Sequence, residues 1–414
     1  MKFYQLLHDK ALFNGLPLYI RKSSLDILCF TLRRSVHDVA RFRYCEQKHN
    51  RSIVDILLNL LSDMLLMERT TLLREDILIT KRIIRLLGVV AVCGLSTPEL
   101  KKFLSLLRIP SLFSISLLQA LKAILVVNDS IVKAYPLSFF DFCDSKAGLS
   151  ITPFSFPFIR EYQISFWFRV DSYPKKTNTE NIQYLFTYMN NNNGLMIYLE
   201  DDLLCVSVSN GPSETTLIKC SDNSISEGVW YHFCVTHNKP RMTLFANYQM
   251  SISLDGHQCF QHIVRFPSAA TIDTMTNASI GKGFDGQMGP VYVFNEVISS
   301  SSIDVIAERD AGKPSKESLK KSVAPKVLSV YHPQRCDGRQ VVDYHGGHHA
   351  LLGDDAYVSN LVSVRETLTS LGGIACLLPL FPTLLVEHDE LRADLYTEVA
   401  GCPMPCGWEV VLDT

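Results

Sequence analysis

The sequence predicts an α+β multidomain protein in which an antiparallel β-sandwich is inserted into an α-helical scaffold. Two segments of the middle region, YQISFWFRV (162–170) and GVWYHFCVTH (228–237), alternate large apolar residues with other residues at a period of two. That period is typical of a strand with one buried face. Helical patterns flank the middle region on both sides, which indicates an insert rather than a terminal domain.

The predicted domain boundaries follow the places where the apolar pattern changes. It changes from helical to strand-like at Asn128-Asp129 and returns to helical after Asp355. The expected domains are an armadillo-like helical region over 1–128, the sandwich over 129–355, and a return to the helical scaffold over 356–414. Within the sandwich, the polar, basic and proline-bounded segment 313–326 predicts an exposed loop.

Two helix starts are clear in the first region. Ser52 with Asp55 resembles a capping box, because a hydroxyl oxygen can accept from the first free N–H groups of a helix. Thr97-Pro98-Glu99 supplies a hydroxyl cap, a proline in the first turn and an acid facing the helix dipole. Apolar stripes follow both starts. Short helices with broad apolar faces are typical of an armadillo-like α-solenoid, although no repeat of fixed length is visible.

Short strand-like segments follow one another through the middle region, separated by turn residues. The segments 190–194, 201–202 and 210–212 are rich in Asn, Asp and Gly, which favour turns. Strands at this spacing indicate an antiparallel sandwich. Near its end, the glycine-rich GKGFDGQMG precedes a final strand over 290–294, and a short helix is predicted over 300–308.

Composition excludes several classes of function. The 414 residues include 40 basic and 42 acidic ones, and the net charge of −2 gives no electrostatic argument for nucleic acid. The N-terminus lacks a secretory apolar segment, and the longest apolar runs are too short to span a bilayer, so we expect a cytoplasmic chain. The sequons at Asn50, Asn128 and Asn277 are then coincidental. The 12 cysteines include no CxxC pair; the nearest pair, Cys402 and Cys406, is four residues apart with no second pair, which favours reduced thiols over a zinc site.

Trp167 and Trp230 are candidates for ligand contact, because aromatic rings can act as platforms for sugar rings. Both lie in alternating segments, where Phe166 and Phe233 supply neighbouring apolar positions. The alternation favours the other interpretation, in which both tryptophans belong to the sandwich core.

Acidic residues offer two further possibilities. A cation site of the legume-lectin type would use Asp201-Asp202 and Asp285, but calcium takes six to eight oxygen ligands and no dense run of ligands exists. A glycosidase would need two carboxylates facing each other across a groove. Glu200, Asp201 and Asp202 are consecutive, so they alternate between strand faces and cannot form such a pair themselves.

The histidines of DYHGGHHALL form the only histidine cluster in the sequence: His345, His348 and His349. They are either metal ligands or part of a glycine-rich turn, and the sequence leaves their role open. No fourth ligand is evident. We therefore predict no catalytic, cofactor-binding or metal-binding residues and no enzyme activity.

Four segments of the sequence resemble one known family. They are ISFWFRV, WYHFCVTH, GFDGQMGPVYVFNEVIS and LGGIACLLPLF. With helices before and after the sandwich, they are similar to the N-terminal region of neurobeachin-type BEACH-domain proteins. The resemblance covers roughly residues 130–385.

The resemblance implies a concanavalin A-like jelly roll inserted in an armadillo-like scaffold. It implies a non-enzymatic scaffold, located in the cytoplasm, that binds proteins of membrane trafficking and vesicle sorting. Peripheral association with endomembranes would come only through a full-length parent, because the BEACH domain lies outside this sequence. The alternative from another class is a soluble glycan-binding module, and a third possibility is a degenerate hydrolase.

Overall fold

The chain forms two compact units, Met1–Ala134 with Leu361–Thr414, and Tyr135–Asn360. We call them the helical unit and the sandwich. The structure is a computed structural model. It describes residues 10–33, 39, 52–66, 73–109, 111–134, 136–143, 147–152, 161–173, 182–190, 192–211, 214–238, 249–264, 277–298, 327–343 and 348–380.

The described part of the helical unit consists of α-helices joined by short connections. The helices are α1 (Lys10–Gly15), α2 (Leu18–Leu32), α3 (Ile53–Leu65), α4 (Arg74–Val90), α5 (Thr97–Leu107), α6 (Ser114–Ala134) and α7 (Val364–Ser370), with 3₁₀ turns at Ala91–Cys93 and Gly373–Leu380. Helix α4 packs against α2, α3 and α6, and α7 packs against α5 and α6. An armadillo-like repeat is not confirmed.

One acidic side chain joins the starts of α3 and α5. The Ser52 hydroxyl oxygen accepts from the Asp55 N–H at 3.4 Å, as the sequence predicts. Helix α5 is capped by Ser96 rather than Thr97, and Glu99 accepts from the Ser96 N–H and hydroxyl at 2.7 Å each. Serine and threonine are both favoured at the N-cap, so the sequence leaves such a shift of one residue open. Ser52 also donates its hydroxyl to Glu99.

The observed units differ from the predicted boundaries at both junctions. Asn128-Asp129 predicts the end of a helix, but α6 continues to Ala134 because the Asn128 side chain is engaged in tertiary hydrogen bonds. After Asp355, Ala356–Asn360 forms a strand rather than the start of a helix, because it pairs with the first strand of the sandwich.

Helix α6 contains a segment, Ser114–Val132, that is long and apolar enough to cross a membrane by length and composition. The expectation that no segment reaches this length is therefore wrong. The same composition suits a core helix of a water-soluble protein. Helix α6 packs against three other helices and buries Asn128, and 28% of the Ser114–Val132 window is buried.

The described residues of the sandwich form two antiparallel sheets. The strands are β1 (Ser138–Phe142), β2 (Leu149–Ile151), β3 (Tyr162–Val170), β4 (Ile182–Asn190), β5 (Asn193–Glu200), β6 (Leu203–Asn210), β7 (Thr215–Ser224), β8 (Trp230–Asn238), β9 (Gln249–Leu254), β10 (His257–Ile263), β11 (Asn277–Ile280), β12 (Gly286–Phe294), β13 (Val327–Tyr331), β14 (Cys336–Asp337), β15 (Gln340–Val342), β16 (His349–Leu352) and β17 (Ala356–Asn360). Sheet A has the order β10-β9-β8-β3-β12-β1-β17, with β13 also paired to β12, and sheet B has the order β14-β15-β16-β2-β11-β4-β5-β6-β7. The predicted helix over 300–308 and loop over 313–326 lie outside the described residues.

The two ends of the sandwich leave from neighbouring strands. Strands β1 and β17 are antiparallel, and Ser138 is paired with Asn360. An insert needs its ends close together, because the host unit must continue after it. The β1–β17 pair meets that requirement through backbone hydrogen bonds.

The apolar core lies between the two sheets. In β3, the core side chains include Ile164, Phe166 and Phe168, and all three are buried. The intervening side chains therefore lie on the other face of sheet A, which we call the outer face. This outer face positions most of the polar side chains described next.

Candidate binding rim and its buried support

The two candidate tryptophans lie on the outer face of sheet A. Trp230 is 7% exposed and meets the Phe139 ring edge-on at 5.7 Å, whereas Trp167 is half-buried and lies 5.1 Å from the His232 ring. Neither is part of the core cluster between the sheets. The prediction that both belong to the sandwich core is therefore wrong in position. The alternating pattern hides this, because both faces of β3 are mostly buried.

A buried polar ladder crosses three strands of the outer face. We define it as Arg169 on β3, Gln287 on β12 and Asp141 on β1, together with Asp171 just after β3. Gln287 accepts from Arg169 Nη1 at 2.5 Å, and its Nε2 donates to Asp141 at 3.1 Å and to Asp171 at 2.7 Å. Arg169 also forms an ion pair with Asp171 and donates from Nε to the Gly228 carbonyl oxygen at 2.9 Å. Each polar group of the amide is thus used, as burial requires.

The two carboxylates of this ladder have a spacing that a hydrolase could use. Asp141 Oδ1 and Asp171 Oδ2 both bond to Gln287 Nε2, so these oxygens lie within about 6 Å of each other. The space between them is filled by the Gln287 amide, and both Gln287 and Asp141 are fully buried. No substrate bond can enter between the carboxylates while the amide is there. We interpret the pair as structural.

Beside the ladder, one end of the sandwich carries a hydrogen-bonded polar surface. We call it the rim and define it as 171–173, Asp202, 224–228 and Asp285. It joins the end of β3, the β5–β6 turn, the β7–β8 connection and the start of β12.

Backbone and side-chain hydrogen bonds hold the rim together. The Asp171 N–H donates to the Asp285 carbonyl oxygen at 3.0 Å, and the Gly228 N–H donates to the Val170 carbonyl oxygen at 2.8 Å. Tyr173 donates its N–H to Glu227 Oε1 at 2.9 Å and its hydroxyl to the Ile225 carbonyl oxygen at 2.7 Å. The rim is therefore a fixed frame that combines segments from both sheets.

The rim exposes carboxylates next to half-buried phenols. Asp202 and Glu227 are exposed, while Tyr173 and Tyr231 are half-buried. Burial raises the pKa of the Tyr173 phenol well above its ordinary value, and the negative charge of Asp202 raises it further. Tyr231 accepts at its hydroxyl from the Ser226 N–H at 3.1 Å. Both phenol rings pack against the core between the sheets, with the Tyr231 ring 5.8 Å from that of Phe168. The rim thus presents carboxylate acceptors beside two half-buried phenols.

The predicted acidic candidates are only partly brought together. Asp202 accepts from Ser224 Oγ at 2.5 Å, and Asp285 accepts from Ser172. Asp201 adopts the left-handed conformation, with φ of 54°, in the β5–β6 turn, where such backbone geometry is typical of Asp. Among the described residues, no group of three or more His, Cys, Asp or Glu side chains could hold a metal ion.

The described histidines of the cluster lie where the chain enters β16. His349 N–H donates to Thr152 Oγ1 at 2.9 Å, and the His348 carbonyl oxygen accepts from Asp343 at 3.0 Å. His349 is the first residue of β16, and His348 precedes the strand. His345 lies outside the described residues. Cys402 and Cys406 lie outside them too, whereas Cys205 and Cys234 are buried thiols whose pKa is raised by burial.

Sequence reasoning misses the residues that build the ladder and the rim. Arg169, Gln287 and Asp141 are polar residues within strands, and their burial at 8%, 0% and 0% exposure is visible only in the structure. One signal is present in β3, where Gln163, Ser165 and Arg169 occupy every second position except that of Trp167. A polar row of this kind indicates a second polar face, but it does not show which strands align with it.

Comparison with known proteins places the sandwich in a family at the level of its fold. Residues 144–304 match the family model described as Concanavalin A-like lectin/glucanases superfamily. This segment is a concanavalin A-like, laminin-G-like domain. The match covers less than half of the chain, and the comparisons give no support for the neurobeachin-type resemblance.

Three solved structures show weaker likenesses. A candidate carbohydrate binding protein from Bacteroides ovatus has 11% identity and a TM-score of 0.38, over 54% of this chain and 60% of that one. The binding domain of botulinum neurotoxin DC, in complex with rat synaptotagmin II, has 14% identity and a TM-score of 0.28, over 37% of this chain and 36% of that one. The same toxin domain in complex with SialylT has 14% identity and a TM-score of 0.31, over 43% and 44%. Likenesses at these TM-scores do not establish a shared ligand.

Proposed function

We propose that this chain is a non-enzymatic binding protein whose concanavalin A-like sandwich recognises a carbohydrate at the rim. The observation that carries the proposal is the fixed frame of exposed carboxylates beside Tyr173 and Tyr231. Sugar hydroxyls donate hydrogen bonds to carboxylate oxygens, and the C–H faces of sugar rings pack on aromatic rings. Glu227 uses Oε1 in the frame, and its second oxygen can accept from a ligand hydroxyl.

The proposal excludes hydrolysis by the carboxylate pair of the ladder. Asp141 and Asp171 are separated by the buried Gln287 amide, and Asp171 is paired with Arg169. A general acid and a nucleophile need access to the scissile bond. The chemistry offered at the rim is therefore recognition through hydrogen bonds and ring contacts.

The test is a glycan array probed with the full chain and with two matched variants. Glu227→Gln keeps an oxygen for the Tyr173 N–H but removes the charge of the second acceptor. A charge-assisted hydrogen bond contributes about 1.5–3 kcal/mol, so we expect binding weaker by at least about tenfold. The control is Glu214→Gln, because Glu214 lies at the opposite end of β6 and β7 and bonds to Asn210. Equal binding by both variants, or no reproducible glycan signal for the wild type, would contradict the proposal.

A second candidate function is a protein-binding scaffold of a BEACH-type trafficking protein, cytoplasmic and peripheral on endomembranes. The observation that favours it is an apolar stripe on α2. Tyr19, Ile27 and Phe30 are 69%, 57% and 65% exposed and recur at helical spacing on one face. If this function holds, proximity labelling around the full chain should identify trafficking proteins. That labelling should be lost in a Tyr19→Ser/Phe30→Ser variant and kept in Glu227→Gln.

A further inference from the structure

The helical unit is assembled from two stretches of chain separated by the whole sandwich, and Asn128 connects them. Asn128 Nδ2 donates to the carbonyl oxygens of Val92 and Val362, at 2.9 Å each. Its Oδ1 accepts from the Val364 N–H at 2.8 Å. The side chain is 1% exposed. One amide thus joins α6, the turn after α4 and the start of α7.

Neighbouring contacts make this junction tight. The Val362 N–H donates to the Cys93 carbonyl oxygen at 2.9 Å, and Thr367 donates to the Leu95 carbonyl oxygen at 3.2 Å. A Cβ on Gly94 would lie 2.5 Å from the Val362 Cβ, so glycine is required there. No space remains at Asn128 Nδ2 for an additional group.

The same asparagine begins an Asn-Asp-Ser sequon, 128–130, the acceptor motif for N-linked glycans. In that modification Nδ2 forms a bond to the anomeric carbon of a lipid-linked oligosaccharide diphosphate. The diphosphate leaves with the electrons of the broken C–O bond, and the amide loses one proton. One of the two N–H donors of Asn128 would then be replaced by a sugar. That sugar would take the place of the carbonyl group of Val92 or of Val362, whichever the replaced hydrogen bonds.

We infer that N-glycosylation of Asn128 and closure of the helical unit exclude each other. In a chain translocated into a compartment that holds the transferase, Asn128 enters long before 362–364 has been synthesised. The amide is then available as an acceptor, because its closing partners do not yet exist. Modification at that stage prevents closure, whereas a chain made outside that compartment closes with an unmodified Asn128. Modification of the sequon would therefore control closure of the helical unit, whatever the sandwich binds.

The test uses cell-free translation of the full chain with and without microsomes, directed into them by an added signal peptide. Site-specific mass spectrometry measures occupancy at Asn128, and limited proteolysis measures closure of the helical unit. The matched variant is Ser130→Ala, which removes the motif but leaves Asn128 in place, since Ser130 is exposed and donates to the carbonyl oxygen of nearby Val127 at 2.7 Å. Asn128→Asp keeps an acceptor oxygen but loses both N–H donors, so it serves as the reference for a helical unit that has not closed.

We expect the translocated wild type to carry a glycan at Asn128 and to be cleaved in the helical unit like Asn128→Asp. Translocated Ser130→Ala should be as resistant as the untranslocated wild type. Two results would overturn the inference. One is a chain glycosylated at Asn128 whose helical unit resists protease, and the other is a translocated wild type that remains unmodified at Asn128.

Discussion

His237 should make the sandwich lose stability in mild acid. Its Nε2 lies 2.9 Å from the Val264 carbonyl oxygen, so that nitrogen must carry the proton in the neutral ring. Nδ1 lies 3.2 Å from the Tyr162 hydroxyl, which then donates to it. Both nitrogens are satisfied in this tautomer, whereas in a protonated ring Nδ1 would donate and the Tyr162 hydroxyl would have to turn its own hydrogen away. Burial lowers the pKa of His237 from 6.5 to about 4.

The direction and size of the effect follow from this depressed pKa. The unfolded chain binds the proton as the pH falls through 6.5, whereas the folded chain resists until about pH 4. Acid therefore favours the unfolded state as the pH falls from 6.5 to about 4, and the contribution of His237 to stability is constant above pH 6.5. A depression of this size corresponds to about 3 kcal/mol of unfolding free energy. Burial, and then the charge of Arg335, lowers the pKa of His332 to about 4 as well, which adds a second acid-sensitive group.

The assay is urea unfolding at a series of pH values, followed by tryptophan fluorescence, to which Trp167 and Trp230 contribute from the sandwich. His237→Gln supplies a donor for Val264 and an acceptor for Tyr162 but does not titrate. The free-energy difference between wild type and His237→Gln should be constant at neutral pH and change by about 3 kcal/mol toward pH 4. The control is His262→Gln at an exposed position. Parallel curves for wild type and His237→Gln over the whole range would refute the assigned tautomer and its burial.

Other substitutions test the outer face by thermal or urea melts. Trp230→Ala should cost about 3–5 kcal/mol through lost burial and a cavity, and half-buried Trp167→Ala should cost less; the reverse order would contradict the assigned positions. Gln287→Glu should destabilise the sandwich by about 3 kcal/mol or more, because a donor between two carboxylates becomes a negatively charged acceptor. A melting temperature equal to that of the wild type would argue against the ladder. Millimolar calcium should leave the melt unchanged, whereas a bound ligand at a hundred times its Kd would add about 2.7 kcal/mol.

The sequence predicts the strands better than the contacts among them. Period-two alternation identifies β3 with its correct bounds, and it identifies β8 with a start two residues early and an end one residue early, because one face of each strand packs against sheet B. The same alternation fails for Trp167 and Trp230, since the outer face is also largely buried and periodicity cannot tell one buried face from the other. The predicted helix end at Asn128 is wrong for a related reason. Local turn preference is overridden there by hydrogen bonds to residues as distant in sequence as Val362 and Val364.

Burial of the outer face also explains why the candidate site could not be predicted from motifs. Asp141, Asp171 and Gln287 are far apart in sequence, and only the antiparallel pairing of β1, β12 and β3 aligns them. Register is a tertiary property, so no spacing in the chain encodes it directly. The turn that carries Asp202 is predicted from the sequence. The connection that carries Glu227, and its hydrogen bond from the Tyr173 N–H, are not.

The ladder bears on whether this sandwich could hydrolyse a sugar or only bind one. A concanavalin A-like sandwich can hold lectins and glucanases alike, so the fold alone does not decide between binding and hydrolysis. At the Asp141 and Asp171 carboxylates, the group between them argues against hydrolysis. If a water or a glycosidic bond lay between the two carboxylates, they could exchange protons with it. Gln287 lies there instead and donates to both carboxylates, and moving it away would leave buried charge without a donor. The same amide accepts from Arg169, which holds Gly228 and the end of the rim. The residue that closes the space needed for hydrolysis thus also fixes the frame proposed to bind a sugar.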